Sequence, residues 1–298
     1  MTTELERRLA EFVDREEEMS RFHEMLETAT RPVMVIWGDG GVGKSSLLAR
    51  MIHEVSQRKL RKAEVVWTET RNHDYLAVMR KLRDDVGAHY FKPFTDLANF
   101  FTVPQYELKI KVESSASISV AQGAQFEGST VGDIAGVIVK DAMFVVPRPD
   151  MAVPETERMA RLTDRFMEDL AFALESGPPL VVFFDAVEKM TDETRKWVWG
   201  ELLDSVRYGR LRKAMFVLSG RKEPLLDRDM HFIVEQARLL PLALANIIEY
   251  LAVRGVDETS RTDLAAMLMV ATQGNPLQIA TLVDGFLNMQ RRRARSRG

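Results

Sequence analysis

The 298-residue chain contains no cysteine, which excludes disulfides, thiolate zinc sites, cysteine nucleophiles and iron–sulfur clusters. The same absence favours a reducing, intracellular setting. No apolar run approaches the roughly 20 residues of a membrane span. The first 20 residues are too acidic for a signal peptide. There is no repeat of fixed period. The expectation is a soluble, cytoplasmic protein with no membrane partner. What is present is ordinary for a globular chain: 46% apolar and 29% charged residues. At about 150 residues per domain, the length suggests two compact units.

The net charge of −3 conceals an asymmetry. Arg291, Arg292, Arg293, Arg295 and Arg297 crowd the last eight positions, so the chain without them carries −8. An acidic body argues against broad nucleic-acid binding. The basic tail (291–298) is therefore the one segment suited to nucleic acid, and its plainer reading is a solvated terminus.

Periodicity gives an α/β order. Residues 16–27 form an amphipathic helix with Met19, Phe22 and Leu26 on one face, and Asp14 with Glu17 is its expected capping pair. Val33 to Trp37 is a continuous apolar run of the kind buried in parallel sheets. A helix follows over 44–59, then a strand over Glu64–Thr68 and a helical face of Leu76, Met79, Leu82 and Val86. Residues 90–150 change character. Tyr106, Leu108, Ile110 and Val112 alternate with polar residues, a Gly/Ser/Ala/Gln-rich stretch runs from Ser114 to Gly136, and Val137–Val146 is again strand-like. An inserted β-hairpin or small sheet, or a loop, is expected there. Alternation then resumes with a helix at 155–175, a strand at Leu180–Phe184, a helix at 192–207, a strand at Ala214–Ser219 and another within 231–239. From Pro241 only helices follow, at 244–254, 260–272 and 276–290. The expected domains are an N-terminal segment (1–30), an α/β core (31–240) carrying the insert, a helical unit (241–290) and the tail. Strands alternating with helices predict a doubly wound parallel sheet.

The chemistry concentrates in Gly38-Asp39-Gly40-Gly41-Val42-Gly43-Lys44-Ser45, which fits G-x-x-x-x-G-K-[ST] without a gap. Glycines let the backbone wrap so that its N–H groups face phosphate oxygens. The helix beginning at the lysine adds its positive end. Lys44 is expected on the β- and γ-phosphates, and Ser45 on Mg²⁺. Ser46 continues the helix start. A metal-binding carboxylate belongs at the end of a neighbouring strand, and Asp185 closes Val181-Val182-Phe183-Phe184. Three residues on, Glu188 suits a general base for water. Arg221 follows the strand Met215–Ser219 and is placed to reach a γ-phosphate. Arg207, Arg210 and Arg212 read as a solvated basic face, with fingers acting in trans as the alternative.

Taken in order, these pieces resemble the STAND branch of AAA+-related P-loop ATPases, which includes the NACHT and NB-ARC families. Phe12-Val13-Asp14-Arg15-Glu16-Glu17-Glu18 looks like the family's F-V-G-R-E-x-E segment, which lies against adenine. Gly38–Leu47 is similar to its phosphate loop. Phe183 to Glu188 looks like its Walker B strand, and Ser219-Gly220-Arg221 resembles its sensor 1 "S-R" with one inserted glycine. Leu240-Pro241-Leu242 with Ile247–Leu251 looks like the opening of the family lid. Gly274-Asn275-Pro276-Leu277 resembles the lid's G-N-P-L motif, whose proline packs near the base. The resemblance covers about 12–60 and 178–288, and it departs at Asp14, where the family has glycine, and at the insert.

The resemblance implies ATP or ADP with Mg²⁺ between core and lid. P-loop GTPases carry an N/T-K-x-D guanine motif that this chain lacks, which favours ATP. It further implies a slowly hydrolysing switch ATPase, since no arginine finger in cis is evident. Its nucleotide state would control self-association or engagement of a partner in signalling or defence. The family's sensor repeats and effector domain are not found in the chain, so either would be supplied by another protein or by a longer one. An Orc-like or helicase-loader-like ATPase on DNA, and a non-hydrolysing scaffold with bound ADP, are the alternatives.

Overall fold

The computed structural model describes residues 6, 9–28, 30–68, 74–102, 106–107, 118–120, 137–139, 146–147 and 153–295. By internal contacts the chain divides into two units: Met1–Phe91 with Met167–Gly298, and Lys92–Phe166.

The first unit is built on five parallel strands: β1 (Val33–Trp37), β2 (Arg61–Val66), β7 (Leu180–Asp185), β8 (Ala214–Gly220) and β9 (Val234–Arg238). Their spatial order is β2-β7-β8-β1-β9. The three most apolar strands are central. All seven residues of β8 are buried, as are the first four of β1 and the first five of β7. Each such aliphatic or aromatic side chain contributes about 1.5–3 kcal/mol by leaving water. The edge strand β2 instead begins with Arg61 and Lys62, three residues before the expected start, because pairing of Arg61–Val66 with Leu180–Asp185 defines it rather than apolarity.

Helix α1 (Glu16–Thr28) buries Phe22 and Met25, and α2 (Lys44–Gln57) buries Leu47, Leu48, Met51 and Val55; both pack on Met34, Ile36, Phe183 and Val217 of the sheet. The expected Asp14–Glu17 cap does not form. Asp14 and Arg15 both hold left-handed backbone, with φ of 64° and 83°, and the first turn closes from Met19 N–H to the Arg15 carbonyl. Asp14 instead pairs with the Arg15 guanidinium at 2.8 Å. Helix α3 (Tyr75–Val86) is capped by the Asp74 carboxylate, which accepts from Leu76 N–H. The single helix expected at 192–207 is interrupted: α6 (Asp192–Lys196) and α7 (Leu203–Arg207) flank a π-helical turn, Trp197–Leu202, that sends Trp197, Val198 and Leu202 inward.

After Leu239 the helices α8 (Leu244–Val253), α9 (Glu258–Thr272) and α10 (Pro276–Arg295) close over a separate apolar cluster of Leu242, Ile247, Leu251, Leu268, Ile279 and Val283. The N-terminal segment is shared between the two clusters, Phe12 lying against the sheet's and Val13 against the helices'.

The second unit holds the helix α4 (Lys92–Thr102), which the sequence pattern did not signal, and the first part of α5 (Glu155–Glu175). Phe94 and Phe166 meet edge to face at 5.3 Å. Between them lie two antiparallel pairs: β3 (Tyr106–Glu107) with β6 (Val146–Pro147), and β4 (Ile118–Val120) with β5 (Val137–Val139). The expected strand positions Leu108, Ile110 and Val112 lie outside the described residues, as does most of Ser114–Gly136. No helix among the described residues is long and apolar enough to cross a membrane.

Candidate functional site

A parallel strand feeding a helix leaves a turn at the carboxyl edge of the sheet, where ligands of open α/β sheets bind. Here the turn is Gly38–Gly43 between β1 and α2. Gly43 precedes α2 with φ of 101° and offers no side chain to cap it, so the first-turn amides at Lys44, Ser45 and Ser46 are left for an anion. Gly41 has φ of 79°, and a Cβ there would lie 2.8 Å from Asn275 Oδ1. The Lys44 ammonium folds back over the turn and donates to the carbonyls of Gly38 at 2.7 Å and Asp39 at 2.8 Å. Burial lowers its pKa from the ordinary lysine value; nearby Glu188 opposes that shift and Arg221 adds to it.

Asp185 does not stand on the strand adjoining the loop strand. β8 intervenes, and the gap is bridged by hydroxyls from both sides. Ser45 Oγ donates to Asp185 Oδ2 at 2.9 Å, while Ser219 Oγ, fully buried at the end of β8, donates to Oδ1. Ala186 N–H also donates to Oδ1, at 2.9 Å, from a left-handed residue that turns the chain sharply after β7. That turn carries Glu188. Its Oε1 lies 3.2 Å from Arg221 Nε, and its Oε2 is buried with no hydrogen-bond partner. Gly220 explains the inserted glycine before Arg221, since a Cβ there would sit 2.7 Å from Val187 Cγ2 and press the Glu188 turn outward. Arg221 is 63% exposed, and its guanidinium carbon lies 3.9 Å from where a Cβ on Gly40 would be. Arg207 is occupied by Asp204 and Asp227 at 3.4 and 3.7 Å, and Arg212 by the Gly209 carbonyl.

Beside this edge opens a cleft of about 510 Å³. Gly41, Val42, Gly43, Lys44, Ser45 and Ser46 line one part of it. Phe12, Val13, Leu242, Pro276 and Ile279 give it an apolar part, and Glu11, Tyr250 and Asp284 a polar one. Of the residues expected from sequence, Gly38, Asp39 and Gly40 belong to the turn but are not among those lining the cleft. Asp185, Glu188 and Arg221 gather at its sheet edge rather than along the cleft wall.

Two contacts went unread in the sequence. Asn275 Nδ2 donates to the Gly40 carbonyl at 2.9 Å and Leu277 N–H to that of Gly41 at 3.2 Å, so the turn before α10 is fastened directly to the phosphate loop. The Arg15 guanidinium, 8% exposed, donates to the carbonyls of Val42 at 3.1 Å and Leu240 at 2.7 Å. It thereby joins the loop to the start of the helical unit. Both residues stand within quoted motifs, and their partners lie 27 to 235 positions away.

The AAA ATPase domain family matches residues 11–218. No curated protein matches the chain. Among solved structures, the chain is similar to a STAND protein with a tetratricopeptide repeat sensor from Pyrococcus horikoshii. Identity is 15% and the TM-score 0.47, over 90% of this chain and 29% of that one. It is similar also to Cdc6p from Pyrobaculum aerophilum, with 11% identity and a TM-score of 0.49 over 94% of this chain and 63% of that one. The AMPPCP-bound DnaA from Aquifex aeolicus matches at 12% identity and a TM-score of 0.46, over 96% of this chain and 68% of that one. The chain thus spans less than two thirds of the first two.

Proposed function

We propose, from the premise that this chain belongs to the AAA ATPase domain family, that it is an ATP-binding, slowly hydrolysing switch of the STAND type. The observation that carries this reading is the pair of hydrogen bonds from Asn275 and Leu277 onto Gly40 and Gly41. A change in the phosphate loop has a direct mechanical path to the helical lid, and a contact-bearing element with two arrangements is what a switch requires.

The residues fit the substrate and its metal. A glycine turn with free helix amides and Lys44 suits polyphosphate. A hydroxyl and a carboxylate 2.9 Å apart, Ser45 and Asp185, are the hard oxygen donors that Mg²⁺ takes. Bound there, Mg²⁺ would neutralise charge on the phosphates. Phe12, Val13 and Pro276 supply apolar surface for a base. Glu188 Oε2, unpartnered and buried, accepts a proton from the attacking water. Arg221 leaves Glu188 to meet the γ-phosphate, which frees the carboxylate only when that phosphate is present. The nucleotide state then sets self-association or capture of a separate partner in signalling or defence, in the cytoplasm.

The test is solution mass by light scattering after loading with ADP or with a non-hydrolysable ATP analogue, with Lys44→Ala as control. A mass increase with the analogue alone supports a self-assembling switch. An unchanged monomer in both states sinks self-association and turns attention to a partner chain or single-stranded DNA. Wild-type nucleotide affinity in Lys44→Ala refutes the site itself.

A further inference from the structure

The polar part of the cleft is assembled from three distant segments around one cation. Arg254, 12% exposed, donates to Glu11 Oε2 at 3.1 Å and to the Tyr250 hydroxyl at 2.7 Å, and it pairs with Asp284. Glu11, Tyr250 and Asp284 all line the cleft. The arrangement leaves two hydrogen-bonding positions unused among the described residues. Glu11 Oε1 accepts nothing. Tyr250, 6% exposed, accepts from Arg254 but has no acceptor for its own proton. Burial raises the tyrosine pKa above its ordinary value, so the hydroxyl is protonated at neutral pH and available as a donor.

We infer that Glu11 and Tyr250 read the nucleotide base, Glu11 accepting from the exocyclic amino group of adenine and Tyr250 donating to a ring nitrogen, with Arg254 as the positioning residue that holds both. A bound base would cover these groups, and a polar group covered without a partner is costly, so the site discriminates against a base that lacks the matching atom. This inference rests on the nucleotide reading above.

The experiment compares equilibrium binding of ATP and of purine riboside triphosphate, identical except for the missing amino group, to the full chain. Wild type is expected to prefer ATP by roughly 10- to 100-fold, the range of one hydrogen bond to a charged group. Glu11→Met is expected to bring that ratio close to one. Tyr250→Phe weakens both nucleotides in common, since both keep the ring nitrogens. A merely structural role for Glu11 lowers both affinities by the same factor and leaves the ratio intact, which overturns the inference. Should Glu11→Met fold poorly, Glu11→Gln, with a neutral acceptor in place, is expected to retain part of the preference. Equal wild-type affinities overturn the base-reading role while the nucleotide site stands; no binding of either nucleotide overturns both.

Discussion

The two ends of the cleft are made in opposite ways. The phosphate end is one continuous segment, Gly38–Ser46, whose backbone does the work and whose side chains Lys44 and Ser45 sit on the first turn of the following helix. The proposed base end joins Glu11 of the N-terminal segment, Tyr250 and Arg254 of α8 and Asp284 of α10, residues up to 273 positions apart, and presents side chains. A backbone cradle needs particular residue types at fixed spacing, because only glycine permits φ of 79° and 101° without strain. A side-chain cluster needs only that the fold bring compatible groups together. The first kind of site tolerates almost no variation, and the second can be rebuilt from other residues in the same fold.

That contrast can be broken by a substitution at one end that behaves as if it were at the other. The largest effect on nucleotide affinity is expected from Lys44→Ala. Removing an ammonium aimed at phosphate should weaken ATP by about 30-fold or more, and should weaken purine riboside triphosphate by the same factor. Combined with Glu11→Met in a double-mutant cycle, the losses should add, because the ends share no partner. A cycle energy well above about 0.5 kcal/mol would show the two ends to be one coupled unit. The largest effect on turnover is expected from Glu188→Gln. Nucleotide affinity should be unchanged, while steady-state phosphate release should fall by about 100- to 10,000-fold, the usual contribution of a positioned base. Unaltered turnover would remove Glu188 from the chemistry and leave its buried oxygen unexplained.

How much of this was legible in the sequence follows from the same contrast. The parallel sheet, the loop, and the gathering of Ser45, Asp185, Glu188 and Arg221 at one edge were readable, because apolar runs place strands and the glycine pattern admits few alternatives. The strand order was not. Asp185 stands two strands from the loop, and the buried Ser219 hydroxyl that helps hold it looked in the sequence like the close of a strand. Nor was Asn275 readable as a link, since Gly274-Asn275-Pro276 is also how any helix stops and restarts. Its partner at Gly40 is a backbone carbonyl, which has no identity in sequence. The left-handed Asp14 and Arg15 were hidden for the opposite reason. Asp before a run of glutamates is a common helix start, and only the buried Arg15 guanidinium, held by two carbonyls and Asp14, forces the backbone out of it.

The link between lid and loop sharpens the comparison from outside the cleft. Asn275→Ala removes one donor to the Gly40 carbonyl and should cost about 0.5–1.5 kcal/mol of stability. The more telling readout is amide exchange at the first turns of α10. Addition of an ATP analogue should protect those amides in the wild type and protect them less in the variant. Equal protection in both would mean that the Leu277 contact alone carries the coupling.

The smallest effect expected is that of Asp14→Gly, where two contributions oppose each other. Glycine relieves a left-handed residue, worth about 1 kcal/mol for an ordinary side chain and less for aspartate, which tolerates that region. Against this, the change removes the carboxylate 2.8 Å from a guanidinium only 8% exposed. Hydrogen bonds to charged groups contribute about 1.5–3 kcal/mol, but Arg15 keeps the carbonyls of Val42 and Leu240. The carboxylate is also a quarter exposed, so solvent screens the pair and the lower end of that range applies. The pair outweighs the strain, and thermal unfolding should show a net loss of roughly 1 kcal/mol. A gain in stability would mean that the backbone strain, and not the ion pair, governs this turn. Arg15 would then be held by the two carbonyls alone.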